Sequence, residues 1–368
     1  MFIKEIEKNN FLKPLQVVIG IVERKQSLPI LSNVLIEKLP KAIKFTTTDL
    51  EIQISNTLNI DDINSDFKSI TVNGKKIYEI LKILPDQSKI SIELKENKAV
   101  IKSDKSKFSL QTLPIEDFPK LNSELNESKK ISIKQSELKK LLLSVQYSMA
   151  QQDVRYYLNG VLLVIDNNII KTVATDGHRL AYNSCLINAS FEKQEVILPR
   201  KAVLELSKLL NDTDENVDLE ISSQQVKLVF SNTILVSKII DGKFPDYERV
   251  IPKYNNHLIL NRIHIQQALQ RAAILSNEKF RGVRFVLTEK NLSIISSNSE
   301  QEEAQEEIET DYHEVPIDIG FNVNYLMDGL NNINGESVSL SFGDPNSSIL
   351  ITTEDNPEFR YVVMPMRI

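Results

Sequence analysis

An order of elements that returns three times along the chain limits its fold more than any single motif does. The first copy opens on FLKPLQVVIGIVERK, where Leu12, Leu15, Val18, Ile19 and Val22 recur at helical spacing. Pro14 has no backbone N–H to give, so the pattern predicts a helix whose first turn lies near it. LPILSNVLIE and AIKFTTTDLEIQI follow as strands. Asn73 then caps a second helix, GKKIYEILKILP, with Ile77, Ile80, Leu81 and Leu84 on one face and Pro85 as its stop. KISIEL and AVIKS alternate around the turn ENK as a hairpin, KFSLQTLP is a last strand, and DFPKL leads into a polar linker near residues 122 to 130.

The same order is then written again. SELKKLLLSVQYSM is a helix, RYYLNGVLLVI and IIKTVATDGHRLAY are strands, RKAVLELSKLLN is a helix after Pro199, and VDLEISSQQVKLVFS is a hairpin closed by TILVSKII. The third copy reads IHIQQALQRAAILS, FRGVRFVLTE, NLSIISSNSEQEEAQEEIE, NYLMDGLNNIN, VSLSFGDPNSSILITT and FRYVVMPMRI. Phe118-Pro119 and Phe244-Pro245 end the first two copies at matching places. A period this long means repeated domains, unlike the short repeats of solenoids. The expectation is an α+β chain of three domains, 1–125, 126–253 and 254–368, each with two helices on antiparallel sheets.

Composition narrows what such a chain does. Hydrophobic residues at 41% and charged ones at 26% fit a soluble globular protein. The single cysteine, Cys185, excludes an internal disulfide framework, and His178, His257, His264 and His313 are too scattered for metal-ligand spacing, so no metal or cofactor is expected. The start, MFIKEIEKNNFLK, has no signal-peptide core, and no apolar run approaches the ~18 residues of a membrane span; the expected location is cytoplasmic, without membrane contact. With a net charge of -6, any contact with nucleic acid must come from local basic surface.

The most informative stretch is Val173 to Tyr182, VATDGHRLAY, an exposed strand-turn-strand corner with turn chemistry in Thr175, Asp176 and Gly177. Asp176 beside His178 could suggest a general-base pair, but the chain has no nucleophile elbow, GxxxxGK[ST] loop or HExxH. Capping of the turn by Asp176, with no catalytic residue, is the expectation. This corner, QQDVRYYLNGVLL before it, DGKFPDYERVIP and ILSNEKFRGVRF after it, and the tail YVVMPMRI together resemble the bacterial sliding clamps, the beta subunits of DNA polymerase III. The similarity runs from LKPL near residue 12 to Ile368, with the motifs in the family's order.

The resemblance implies a processivity factor: a homodimer whose six domains form a ring, helices lining the bore, that slides on duplex DNA without reading sequence. Twelve helices packed ~9 Å apart give a circumference of ~108 Å and a bore of ~34 Å. That exceeds the roughly 20 Å width of B-form DNA. DNA contact is then expected from Arg24, Lys25, Gln152, Tyr156 and Tyr157, directed at phosphates. Closure of the ring is expected from Lys105, Lys107, Phe108 and Leu110 at one end of the chain and Ile274, Leu275, Glu300, Glu302 and Glu303 at the other.

The resemblance also implies a groove for short linear peptides of the polymerase alpha subunit, the clamp loader, other polymerases and repair proteins. Its residues carry over to Leu158, Thr175, Gly177, His178, Arg179, Leu180, Pro245, Arg249 and Val250, with Val362, Val363, Met364, Pro365, Met366 and Arg367 of the tail. An apolar floor would supply burial while Arg and His at the rim orient polar groups. Glu248, Ile368 and the lysines near residue 105 depart from the family pattern, and lysine gives up bidentate pairing with carboxylates. The alternative is a monomeric peptide-binding adaptor without a ring.

Overall fold

The computed structural model describes residues 3–23, 28–60, 69–122 and 129–367. Arg24, Lys25 and most of the polar linker after residue 122 lie outside them. The described residues hold six α-helices, α1 (Lys8–Val18), α2 (Gly74–Ile83), α3 (Gln135–Leu143), α4 (Arg200–Leu209), α5 (Arg262–Ala273) and α6 (Val323–Asn331). Three of them begin in one way: a strand ends on an asparagine whose side chain accepts a backbone N–H of the first helical turn. Asn73 takes the N–H of Lys76 at 3.0 Å, Asn261 that of His264 at 3.0 Å, and Asn322 those of Asn324 and Tyr325 at 2.9 and 3.4 Å. Each such cap contributes about 1 kcal/mol.

The first helix departs from expectation. It starts earlier, at Lys8, with Pro14 inside it, and a 3-10 turn over Ile19–Ile21 follows. The hydrogen bond that Pro14 cannot make would go to the carbonyl of Asn10, an exposed residue that water can satisfy, while Pro14 itself is buried. Lys8 secures the early start: its buried ammonium donates to Leu84 O and Asp86 Oδ1, both at 2.8 Å, tying the head of α1 to the end of α2.

The chain forms two compact units. One comprises Met1–Lys139 and Leu204–Ile239, the other Lys140–Val203 and Ile240–Ile368. In the first, a twelve-stranded antiparallel sheet runs from the first repeat into the second repeat's hairpin through Ile52–Asn59 and Thr233–Lys238, where Ile54 faces Leu235. The second unit holds a six-stranded and a four-stranded sheet. Its six-stranded sheet likewise joins repeats, because Arg360–Val363 pairs with the start of Arg179–Pro199. Neighbouring repeats are therefore spliced by shared sheet edges.

Among the described strands, two that are open on one side carry residues expected in the ring contact. Ser106–Leu113 pairs along its length with Lys98–Ser103, but only Thr112 and Leu113 reach a strand on its other side. Glu303–Glu309 is an edge of the four-stranded sheet, with alternate residues exposed. Elsewhere strands exceed the expected lengths. Gly160–Thr175 is one strand of 16 residues, and Arg179–Pro199 continues for 21 where the sequence suggested only its first few. Tyr156–Leu158, expected within a strand, is a 3-10 turn.

Candidate functional site

The corner is built by its own side chains. Thr175 and Leu180 are the last pair of the Gly160–Thr175 and Arg179–Pro199 ladder, and three residues make the turn. Asp176 Oδ1 accepts the N–H groups of His178 at 2.9 Å and Arg179 at 3.1 Å, and Thr175 Oγ1 donates to Arg179 O at 2.6 Å. Gly177 has φ +90°, a conformation that favours glycine, and a Cβ there would crowd the Arg155 guanidinium at 3.0 Å. The tail closes the third side: Leu180 faces Val362 across the sheet, and the Met364 N–H donates to His178 O at 2.9 Å.

These elements enclose a groove of about 260 Å³ within the second unit. Leu158, Thr175, Gly177, Arg179, Leu180, Pro245, Val250, Val362 and Met364 line it, as do Arg155, Tyr157 and Tyr247. Its floor is continuous with a core of Leu158, Leu162, Val173, Leu180, Phe244 and Val362. Met364 and Val250 remain 49% and 44% exposed, so the mouth is apolar and wet while the floor is dry. Such a surface gains by covering itself with an apolar side chain.

Six residues expected in the groove do not line it. Val363 is buried beside Val362 on a strand where successive side chains point to opposite faces. His178 stacks on Tyr325 with ring centroids 6.3 Å apart. Arg249 pairs with Asp246 at 2.8 Å and is 87% exposed. Past Met364 the tail leaves the six-stranded sheet, and the Met366 N–H donates to Gly320 O at 2.8 Å. Met366 and Arg367 thereby reach a second depression, about 380 Å³, with Phe280 and Asn298, while Pro365 lies between the two.

Sequence reasoning missed Arg155 and Tyr247. Arg155 donates through Nε and Nη2 to Asp153 at 3.0 and 2.9 Å, and through Nη2 to Asp176 O at 3.2 Å. Those hydrogen bonds hold the Asp153 carboxyl down at about 2. The spacing of Asp153 and Arg155 in QQDVRYY was the available signal. Tyr247 stacks on Tyr182 at 6.0 Å, and burial, reinforced by Glu248, pushes its hydroxyl up.

Of the residues expected to meet DNA, Tyr157 faces the groove, Tyr156 is 59% exposed beside it, and Gln152 is exposed with φ 55°. The interface candidates sit on the open edges. Lys105 and Lys107 are exposed, Phe108 and Leu110 half-buried, Leu275 half-buried and Ile274 76% exposed; Glu300, Glu302 and Glu303 are exposed. Arg271 holds Glu306 at 2.6 Å, which ties α5 to the acidic strand. Among the described residues no cluster of three His, Cys, Asp or Glu side chains could hold a metal ion, and no helix is long and apolar enough to cross a membrane.

Repeated two-helix domains spliced through shared sheets, with a groove at one splice and strands open on one side elsewhere, define a clamp-type scaffold. Models of the N-terminal, central and C-terminal domains of the DNA polymerase III beta subunit match residues 1–122, 132–246 and 248–367. The chain is 43% identical to the beta sliding clamp of Pseudomonas aeruginosa and 40% identical to that of Escherichia coli, each over 99% of both chains. Solved Pseudomonas aeruginosa sliding clamps superpose with TM-scores of 0.94, with a ligand, and 0.95, bound to griselimycin, at 42% and 43% identity over 99% of both chains. The chain belongs to the beta sliding clamps of DNA polymerase III, the processivity factors of bacterial replication.

Proposed function

We propose that the chain works as a homodimeric ring, threaded by duplex DNA, that tethers polymerase, clamp loader and repair proteins by seating their peptides in the groove beside Leu180. The groove itself carries this reading: a dry apolar floor, an exposed Met364 at its mouth and backbone fixed by the Asp176 turn form a ready receptor for an extended apolar segment. Each buried leucine or phenylalanine of a partner would contribute about 1.5 to 3 kcal/mol, so affinity is modest and partners exchange.

Ring closure is assigned to the open edges. Lys105, Lys107, Phe108 and Leu110 of one protomer would meet Ile274, Leu275 and the acidic strand of the other, a heterologous contact repeated twice to close. Three domains per protomer, 1–125, 126–253 and 254–368, would make the six of the ring. Contact with DNA, from Arg24, Lys25, Gln152, Tyr156 and Tyr157, goes to phosphates and is weak and salt-sensitive. The protein performs no catalysis, takes no cofactor and works in the cytoplasm. Primer extension with the replicative polymerase and its loader tests the reading: at limiting protein the native chain lengthens products and Met364→Ala lengthens them less. Equal product length with both chains would remove the groove from the function.

A further inference from the structure

Arg179 was expected at the rim of the groove, yet its side chain is only 9% exposed. All three edges of its guanidinium are engaged. Nε donates to Asp176 Oδ2 at 3.1 Å, Nη2 to Tyr147 O at 2.7 Å and Nη1 to Asp328 Oδ2, while the Tyr325 ring lies 4.5 Å from Cζ. Asp176 and Tyr147 lie on or beside the corner; Asp328 and Tyr325 belong to α6. The cation therefore bolts the corner to a helix of the third repeat.

We propose that Asp328, which does not line the groove, is a positioning residue for it: by anchoring Arg179 it fixes the corner that supplies Thr175, Gly177 and Leu180 to the lining. This rests on the groove being the ligand site. The guanidinium is a planar fork with fixed donor directions, so losing one anionic partner moves the whole group toward the remaining one, Asp176. Asp176 is also the turn's cap, and His178, which it holds, gives its carbonyl to the Met364 N–H. A shift of Arg179 thus reaches both the floor and the mouth. Asp328 is itself 42% exposed, so the pair is not needed to neutralise a buried carboxylate.

The test compares Asp328→Asn and Asp328→Glu with the native dimer. Griselimycin, bound by the Pseudomonas aeruginosa relative, serves as the calorimetric probe, and thermal midpoint and Met364 amide exchange are read alongside. Asp328→Asn is expected to weaken the probe about tenfold and speed Met364 exchange, and Asp328→Glu to recover to within about threefold of native. A merely structural pair would lower the midpoint of both variants and leave the probe's affinity alone. Native-like affinity in Asp328→Asn, or no recovery in Asp328→Glu, overturns the inference while the groove stands. Absence of saturable binding by the native dimer overturns the groove reading and this inference with it.

Discussion

The groove and the open strand edges both present apolar side chains and both hold sequence-predicted residues, but they differ in completeness. The groove is finished within one chain: Leu158, Leu180 and Val362 are 2%, 3% and 0% exposed, and the N–H groups of Gly177, His178 and Arg179 in the turn each meet a side-chain acceptor. The edges are unfinished. Phe108 and Leu110 lie on a strand whose second side is largely unpaired, and Ile274 is 76% exposed. An unpaired apolar edge is a hazard unless another chain covers it. The contrast teaches that ligand capture and ring closure are separable, the first a property of the protomer and the second of the dimer.

Damage to the groove floor gives the largest expected effect. Leu180→Ala leaves a cavity under the corner and should cost about 3 kcal/mol in denaturant unfolding, abolish griselimycin binding and leave dimer mass unchanged. The converse is Ile274→Asp, which places a charge where a partner chain is expected. Light scattering should find a species of 42.0 kDa, with dimer affinity down roughly a hundredfold, about 2.7 kcal/mol, and griselimycin affinity within about twofold of native. Loss of ligand binding in that monomer would break the comparison.

Met364→Ala sharpens it at the mouth. The side chain is half exposed, so the fold should tolerate its loss, while ligand affinity falls about tenfold, or about 1.4 kcal/mol. The smallest effect concerns pH. Asp153 has its carboxyl lowered from 3.8 to about 2 by Arg155, so the pair is intact above the unfolded value and is lost as pH falls through about 2. An NMR titration of Asp153 should give a midpoint near 2, with the Arg155 Nε signal moving in step; a midpoint near 3.8 would free Arg155 from its assigned place at the rim.

Legibility in the sequence followed the locality of the chemistry. Asn73 as a cap, Asp176 as a turn former and the hairpins could be read because partner and cause lie within a few residues. The recurrence of helix and strand order gave the three-part architecture for the same reason. Pro14 misled because its tolerance depends on solvent at Asn10 and on Lys8 gripping residues near 84 and 86. The continuation of Arg179–Pro199 through the polar run NASFEKQEV was hidden because its pairing partner, not its own composition, makes it a strand. Arg179 reads as a surface cation, since arginine is rarely buried without a partner, and its partner Asp328 is 149 residues away. Of the fifteen residues expected in the groove, Val363 lies off it by strand alternation and Pro365, Met366 and Arg367 by the turn of the tail after Met364, while His178 stacks on Tyr325 and Arg249 turns to Asp246.

Separable capture and closure leave retention on DNA to topology. The direct measurement loads the native dimer onto nicked circular DNA with its loader, isolates the complex, linearises the DNA and counts the protein that remains. A threaded ring stays on the circle, even at salt that screens phosphate contacts, and is lost from the linear product through its ends. Equal retention on circular and linear DNA would mean that the protein grips the duplex, and would contradict the account.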